Sequence, residues 1–288
     1  MSVDLSVVIP AYNEEAGLER VVRGLDASLR GTGRSFEILV VDDGSTDDTA
    51  RVAGGLGVRV LTHSTNRGYG AALKTGIKAA TGGRILICDG DGTYPAESIP
   101  LLLETAGAHD MVVAARTGPQ VAIGFFRRLA KTILRRLAVY LSESPIPDLN
   151  SGLRAMRRDL VLAYRPILPD GFSFTTTITL AALTNGHRVD WVSIDYRKRR
   201  GSSKIRPVRD TLGFAGLIVR TVLYFNPLKV FFPVAAVIGM GLLASLWYDA
   251  FVVSPANLSE KTVLLFVALV QVLSVGLLAD LVDKRSRL

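Results

Sequence analysis

Through the first half of the chain, short apolar runs alternate with longer stretches whose apolar positions recur every three or four residues. The runs at 5–9, 36–41, 59–62, 85–88 and 111–114 predict strands buried on both faces. The stretches at 15–30, 46–54, 70–80 and 95–105 have helical spacing between Gly, Asp and Pro punctuation, so helices are expected there. Alternating elements of this kind build an α/β, Rossmann-like domain with a mostly parallel sheet covered by helices on both faces. After about residue 210 the pattern changes, and two uncharged runs, 230–248 and 262–279, dominate. Each has the roughly 18 to 20 residues needed to cross a hydrocarbon core of about 30 Å.

These patterns divide the chain into a soluble domain over 1–208, a juxtamembrane interfacial helix over 209–227, and a region over 228–288 with two transmembrane helices, about 230–248 and 262–280, and a short tail. Lys229 precedes the first span and Asp283, Lys284, Arg285 and Arg287 follow the second, whereas the connection carries only Asp249, Glu260 and Lys261. By the positive-inside tendency both termini are expected in the cytoplasm of a multi-pass cell-membrane protein. The N-terminus has no basic segment followed by an apolar stretch, so no cleavable signal peptide is expected. Two buried core helices are the structural alternative to the spans.

Composition sharpens this picture. The 288 residues are 49% hydrophobic with a formal net charge of +8, which points to a polyanionic partner: nucleic acid, anionic lipid or a phosphorylated substrate. Between 125 and 141, Phe126, Leu129, Ile133, Leu137 and Tyr140 recur at helical spacing among Arg127, Arg128, Lys131, Arg135 and Arg136, which reads as a helix lying on anionic lipid. A basic surface or partner-binding helix is the bland alternative. No other basic strip is interleaved with stacking aromatics, so a nucleic-acid partner is not expected. The single cysteine, Cys88, excludes an intramolecular disulfide and a cysteine-rich metal site, and reads as core packing. His63, His109 and His187 form no nucleophile pair and read as structural or surface residues.

The polar clusters fall at strand ends, where ligands collect in such sheets. The run 5–9 leads into Pro10, Tyr12, Asn13 and Glu14; 36–41 into Asp42, Asp43, Gly44 and Ser45; 85–88 into Asp89, Gly90 and Asp91. Gly90 permits a tight bend that turns both neighbouring carboxylates toward one point, a hard oxygen site for Mg²⁺ or Mn²⁺ with positions left for diphosphate oxygens. A solvated Asp/Gly turn is the alternative, disfavoured by position and company. Capping of the next helix explains one or two residues of 42–48, but the crowding of acids there suggests a bound hydrogen-bond donor such as a nucleobase. The segment from Asn66 to Gly70 leads into the helix bearing Lys74, so helix-start amides and two cations could face phosphate; a loop whose glycines merely allow a turn reads equally well.

In order along the chain, VVIPAYNEE, VVDDGSTDDT, NRGYGAALKTG, DGDGTYP, NSGLRAMRRD and RRGSSK resemble family 2 glycosyltransferases of the GT-A fold, and most of all the dolichyl- and polyprenyl-phosphate sugar transferases. The resemblance implies an inverting, membrane-anchored transferase that uses a UDP- or GDP-sugar and a polyprenyl phosphate. It implies that Pro10, Tyr12, Glu14 and Asp43, with Lys74, hold the nucleotide-sugar, that Asp89 and Asp91 hold metal and diphosphate, and that Arg116 reaches the phosphates. Arg199, Ser203 and Lys204 resemble a late loop that closes over donor and acceptor phosphates, and Arg127 or Arg128 would contact the acceptor phosphate. Asp148, with Asn150, Ser151 and Gly152, falls where the acceptor side of the sugar is shaped; a lipid monophosphate is already largely ionised at pH 7, so Asp148 is expected to orient rather than deprotonate. Where some relatives carry a glutamine as third metal ligand, this chain has Thr93. Processive synthases resemble a pattern with Gln-x-x-Arg-Trp, which neither Trp191 nor Trp247 completes. A non-catalytic, membrane-tethered module that binds nucleotide-sugar or lipid and recruits a partner is the alternative from another class, and homo-oligomerisation is compatible with either.

Overall fold

The computed structural model describes residues 3–116, 132, 136, 138–140, 142–171, 173–195, 216, 219–220, 223–224, 226–252 and 258–286. The chain divides into two compact units, Met1–Leu217 and Ile218–Leu288.

In the first unit the expected strands form as β1 (Leu5–Ala11), β2 (Phe36–Asp42), β3 (Arg59–Thr62), β4 (Arg84–Ile87) and β5 (Met111–Arg116), joined by β6 (Arg154–Arg157) and β7 (Val189–Ile194). The helices are α1 (Leu18–Arg30), α2 (Thr49–Gly54), α3 (Tyr69–Ala79), α4 (Ile99–Thr105), α5 (Arg158–Tyr164) and α6 (Phe174–Thr184). The sheet order is β3-β2-β1-β4-β6-β5-β7. β3, β2, β1 and β4 run parallel, β6 is antiparallel to both β4 and β5, and β7 is parallel to β5.

Side chains of successive strand residues point to opposite faces, and the core divides accordingly. On one face Leu5, Val7, Ile9, Val40 and Leu86 pack with α1, α2 and α4 through Leu18, Leu25, Ala53 and Leu102. On the other, Val8, Val41, Ile85 and Ile87 pack with α3, α5 and α6 through Leu73, Ile77, Leu160 and Phe174. Residues 59–62 depart from the expected double burial: β3 is the sheet edge, and its Arg59 and Thr62 are exposed. An edge strand has a partner on one side only, so its outer flank stays in solvent.

The second unit is a hairpin of α7 (Leu228–Phe251) and α8 (Glu260–Ser286). Both helices are long and apolar enough to cross a membrane; α7 alone extends about 36 Å at 1.5 Å per residue. Phe231 of α7 lies against Gly276 of α8, where a Cβ would stand 2.8 Å from the phenylalanine Cβ. Toward the connection, Asp249 accepts hydrogen bonds from the Ser259 N–H (2.9 Å), the Ser259 hydroxyl (2.7 Å) and the Thr262 hydroxyl (2.6 Å). A buried carboxylate in an apolar hairpin is tolerated only with such donors.

Candidate active site

Strands β1, β2 and β4 end on one edge of the sheet, and their loops are tied together. Pro10 is buried within β1 opposite Val41. Asn13 has a left-handed φ of 55°. Its N–H donates to Ser45 Oγ (3.0 Å) and its Oδ1 accepts from the Thr46 N–H (2.9 Å), while the Glu14 N–H donates to Thr49 Oγ1 (2.9 Å). The loop bearing Tyr12 and Glu14 is thereby sewn to the acidic turn after β2. A Cβ at Gly90 would stand 3.5 Å from the Pro10 carbonyl oxygen and 3.8 Å from Glu14 Cβ, so the turn between Asp89 and Asp91 adjoins the same loop.

Protein donors account for the crowded acids of 42–48. Asp42 accepts the Ser45 N–H (3.2 Å), Asp47 the Thr49 N–H (3.0 Å), and Asp48 pairs with Arg51 (2.7 Å). Asp43 Oδ1 lies 2.6 Å from His63 Nδ1 and accepts the Arg67 N–H (3.0 Å), and Oδ2 accepts the Gly68 N–H (2.8 Å). The crowding therefore does not by itself require a ligand. His63, whose Nε2 lies 2.9 Å from Thr75 Oγ1, is a buried tie between β3, Asp43 and α3.

The start of α3 differs from the phosphate cradle that its sequence suggests. The Arg67 and Gly68 amides go to Asp43, the Ala71 N–H donates to the Asp170 carbonyl (3.0 Å), and Lys74 donates to the Leu168 carbonyl (3.1 Å) and pairs with the Asp170 carboxylate. A Cβ at Gly68 or Gly70 would run into the backbone of Pro169 and Asp170. The segment 168–171, far along the chain, packs against the start of α3 and takes up the Ala71 amide and the Lys74 ammonium.

Asp89 and Asp91 follow β4. The Tyr69 hydroxyl donates to Asp89 Oδ1 (2.8 Å), and Asp91 Oδ1 accepts the Thr93 N–H (3.0 Å) and the Thr93 hydroxyl (2.6 Å). Burial, together with the neighbouring Asp89, keeps the Tyr69 phenol well above its ordinary pKa, so it stays a donor. Cys88, buried beside them, has its thiol pushed up by burial and by both carboxylates, which makes it a packing residue. A Cβ at Gly152 would collide with the Asp89 carboxylate, so the chain keeps a glycine where that group needs room. Among the described residues no three His, Cys, Asp or Glu side chains gather to enclose a metal. Asp89 and Asp91 are two hard oxygen donors, a set that suits Mg²⁺ or Mn²⁺ completed by diphosphate oxygens and water.

Across β6, at the end of β5, Arg116 forks onto Asp148: Nε to Oδ2 at 2.6 Å and Nη2 to Oδ1 at 2.8 Å, with the Arg116 N–H (3.2 Å) and Asn150 N–H (3.2 Å) also donating to this carboxylate. Burial pushes the Asp148 carboxyl up, but the fork and the amides outweigh it and hold the pKa below the usual carboxylate range. Such a group stays ionised and bound to its arginine, a poor general base. The following turn is fixed by Tyr94, whose hydroxyl oxygen accepts the Gly152 N–H at 2.6 Å, and by the fully buried Arg154, which donates to the Ser151 carbonyl.

Residues 6–164, from β1 to the end of α5, match the glycosyl transferase family 2 model. The chain belongs to glycosyl transferase family 2. Residues 226–284 match the GtrB C-terminal hairpin. The chain is similar to the undecaprenyl-phosphate 4-deoxy-4-formamido-L-arabinose transferase of Klebsiella pneumoniae (strain 342), 32% identical with 97% of this chain and 88% of the relative covered. It is 28% identical to the protein of that name from Enterobacter sp. (strain 638), with the same coverage. Among solved structures it resembles glucosyl-3-phosphoglycerate synthase from Mycobacterium tuberculosis in complex with Mn²⁺ and UDP-glucose, with a TM-score of 0.58 and 25% identity over 77% of this chain and 78% of that one.

The protein is thus a glycosyltransferase of GT-A fold whose motif residues Pro10, Tyr12, Glu14, Asp43, Asp89 and Asp91 come from neighbouring strand ends. Arg127, Arg128, Arg199, Ser203 and Lys204 lie outside the described residues, as does most of 125–141, of which Thr132, Arg136 and 138–140 are helical. Sequence reasoning read His63 as structural or surface, as its buried place bears out, but did not name Asp43 as its partner, and it missed the supporting roles of Tyr69, Thr93, Tyr94 and Arg154. Those four lie within the family 2 motifs, which was the available signal; nothing local marked the partner of His63.

Proposed function

We propose that this glycosyltransferase moves a sugar from a UDP- or GDP-sugar to the phosphate of a polyprenyl phosphate, with inversion, on the cytoplasmic face of the cell membrane. The observation that carries this reading is the extent of the match: relatives named undecaprenyl-phosphate sugar transferases align over 97% of the chain, which takes in the apolar hairpin as well as the transferase domain. A hydrophobic anchor places a soluble sugar donor and a lipid-bound acceptor at one surface.

Pro10, Tyr12, Glu14 and Asp43 hold the nucleoside in this reading, and Asp89 and Asp91 hold the diphosphate through Mg²⁺ or Mn²⁺. The ion supplies neutralisation of the charge that builds on the departing nucleoside diphosphate. An acceptor phosphate oxygen forms the new bond to the anomeric carbon while the bond from that carbon to the diphosphate oxygen breaks, its electron pair leaving with the nucleoside diphosphate. A phosphomonoester with a second pKa of about 6 is already largely doubly ionised at pH 7, so this nucleophile requires no base. Asp148 accordingly holds Arg116 toward the phosphates, and Arg127, Arg128, Arg199, Ser203 and Lys204 gather the acceptor side. The lysines and arginines flanking the hairpin support a cytoplasmic placement of both termini, where nucleotide-sugars are available.

The test incubates purified full-length protein with Mg²⁺, undecaprenyl or dolichyl phosphate, and a panel of radiolabelled UDP- and GDP-sugars. A labelled lipid should form with one donor and disappear with Asp91→Asn. Binding of nucleotide-sugar without transfer to any lipid phosphate would overturn the proposal in favour of a recruiting module.

A further inference from the structure

Arg154 enters the interior from β6, and its side chain is fully buried. The guanidinium donates to the Ser151 carbonyl through Nε (3.2 Å) and Nη2 (2.5 Å), and through Nη1 to the Thr175 carbonyl (3.0 Å) and Thr179 Oγ1 (2.9 Å). Every one of these acceptors is neutral. Among the described residues no carboxylate forms an ion pair with it, although Asp89 and Asp148 both lie within its electrostatic reach. An arginine keeps its proton in proteins, so a full positive charge sits in the interior, satisfied in its hydrogen bonds but not cancelled by a contacting anion.

Retaining such a charge is costly, since neutral acceptors could be satisfied by a neutral donor or avoided with an apolar side chain. What lies nearest along the chain indicates its use. Arg154 grips the carbonyl of Ser151, and the next residue, Gly152, is packed against the Asp89 carboxylate. The guanidinium is fully buried, so its field reaches that carboxylate with less screening than at a solvent-exposed site. The sign of that field has opposite consequences for two ligands of one site. It repels a divalent cation arriving alone at Asp89 and Asp91, and it attracts the anionic diphosphate that follows.

We propose that Arg154 is a positioning residue that acts as a fixed buried counter-charge of the donor site, weakening the binding of metal alone and strengthening the binding of nucleoside diphosphate. This rests on the reading that Asp89 and Asp91 hold a metal-bound diphosphate. A role limited to clamping the Ser151 turn would instead affect both ligands in the same direction.

Binding to the full-length protein in detergent separates these cases: Mn²⁺ alone by electron paramagnetic resonance of the free ion, then UDP and GDP at saturating Mn²⁺ by calorimetry. In Arg154→Met, Mn²⁺ alone should bind about tenfold more tightly and the responding nucleotide about tenfold more weakly, the size of effect that a nearby charge has on another site. Arg154→Lys, which keeps the charge and loses the fork, should stay within about threefold of wild type for both. Weakening of both ligands in Arg154→Met, or loss of both in Arg154→Lys, overturns the proposal in favour of a clamp. Should Arg154→Met fail to fold, the lysine variant decides alone. If wild-type protein binds no Mn²⁺, or Asp91→Asn binds it equally well, the metal-site reading itself fails and takes this inference with it; if that control holds and the arginine variants lack the opposed shifts, only the inference fails.

Discussion

On the side of the sheet formed by β3, β2, β1 and β4, the acids that follow the strands meet amides, hydroxyls and an imidazole: Asp43 meets the Arg67 and Gly68 amides and His63, Asp89 the Tyr69 hydroxyl, and Asp91 the Thr93 hydroxyl. On the side formed by β6, β5 and β7, Asp148 meets the guanidinium of Arg116 in a two-point fork. These amides and hydroxyls orient the carboxylates at the strand ends, whereas the fork is a two-point ion pair. Changes on the first side should be read mainly in ligand binding and turnover, whereas changes at the fork should be read in stability as well as in turnover, since Asp148 holds Arg116 toward the phosphates in the proposed reaction.

Gly152→Ala should give the largest effect. A methyl group there collides with the Asp89 carboxylate and displaces it from where Tyr69 holds it. We expect kcat/KM to fall by about a hundredfold or more, as when one catalytic contact is misplaced. The melting temperature should move by only a few degrees, because the turn retains the Tyr94 and Arg154 contacts. Transfer assays alongside thermal unfolding provide the check; a large loss of stability with normal turnover in the surviving fraction would erase the distinction between the two sides.

Asp148→Asn should add a loss of stability to any loss of turnover. It leaves Arg116, partly shielded at 29% side-chain exposure, without its carboxylate. Removing one member of a buried pair costs about 3–5 kcal/mol, and solvent at Arg116 reduces the expectation to about 2 kcal/mol. Because the folded pKa of Asp148 lies below its unfolded value, this stabilisation is fully present above about pH 4 and is lost as pH falls through the lower folded value. Denaturant unfolding from pH 7 downward should show wild type losing its advantage over Asp148→Asn only in that acidic window. An advantage that persists unchanged below it would mean that the pair contributes packing rather than charge.

The sequence made the donor side readable because apolar runs buried in a parallel sheet are nearly unbroken and their acids fall at the ends. β6 and β7 were not placed: β6 carries arginines at both ends, Arg154 and Arg157, and β7 mixes Asp190 and Ser193 into its apolar positions, so neither has the unbroken pattern. The motifs named the acids but not their partners. Tyr69 reaches Asp89 across 20 residues and His63 reaches Asp43 across the same separation, distances that only the folded sheet closes. The partners at the start of α3 were unreadable for the same reason, because the Asp170 carbonyl that takes the Ala71 amide comes from a segment about which local sequence says nothing.

The smallest expected effect tests the orienting hydroxyl. Thr93 is 1% exposed, and its hydroxyl donates to Asp91 Oδ1 at 2.6 Å beside its own N–H at 3.0 Å. Thr93→Val keeps the shape and the amide and removes only the hydroxyl. A hydrogen bond to a charged group contributes about 1.5–3 kcal/mol, and the remaining amide compensates in part, so we expect about a tenfold rise in the Mg²⁺ concentration for half-maximal activity. Thr93→Ser restores the hydroxyl and should recover most of it. If Thr93→Val matches wild type in metal dependence while melting earlier, Asp91 is oriented by its own turn, and Thr93 is a packing residue. If both variants raise the metal requirement equally, the missing methyl group of serine matters as much as the missing hydroxyl of valine, and orientation is set by how tightly the whole turn packs beneath the carboxylate.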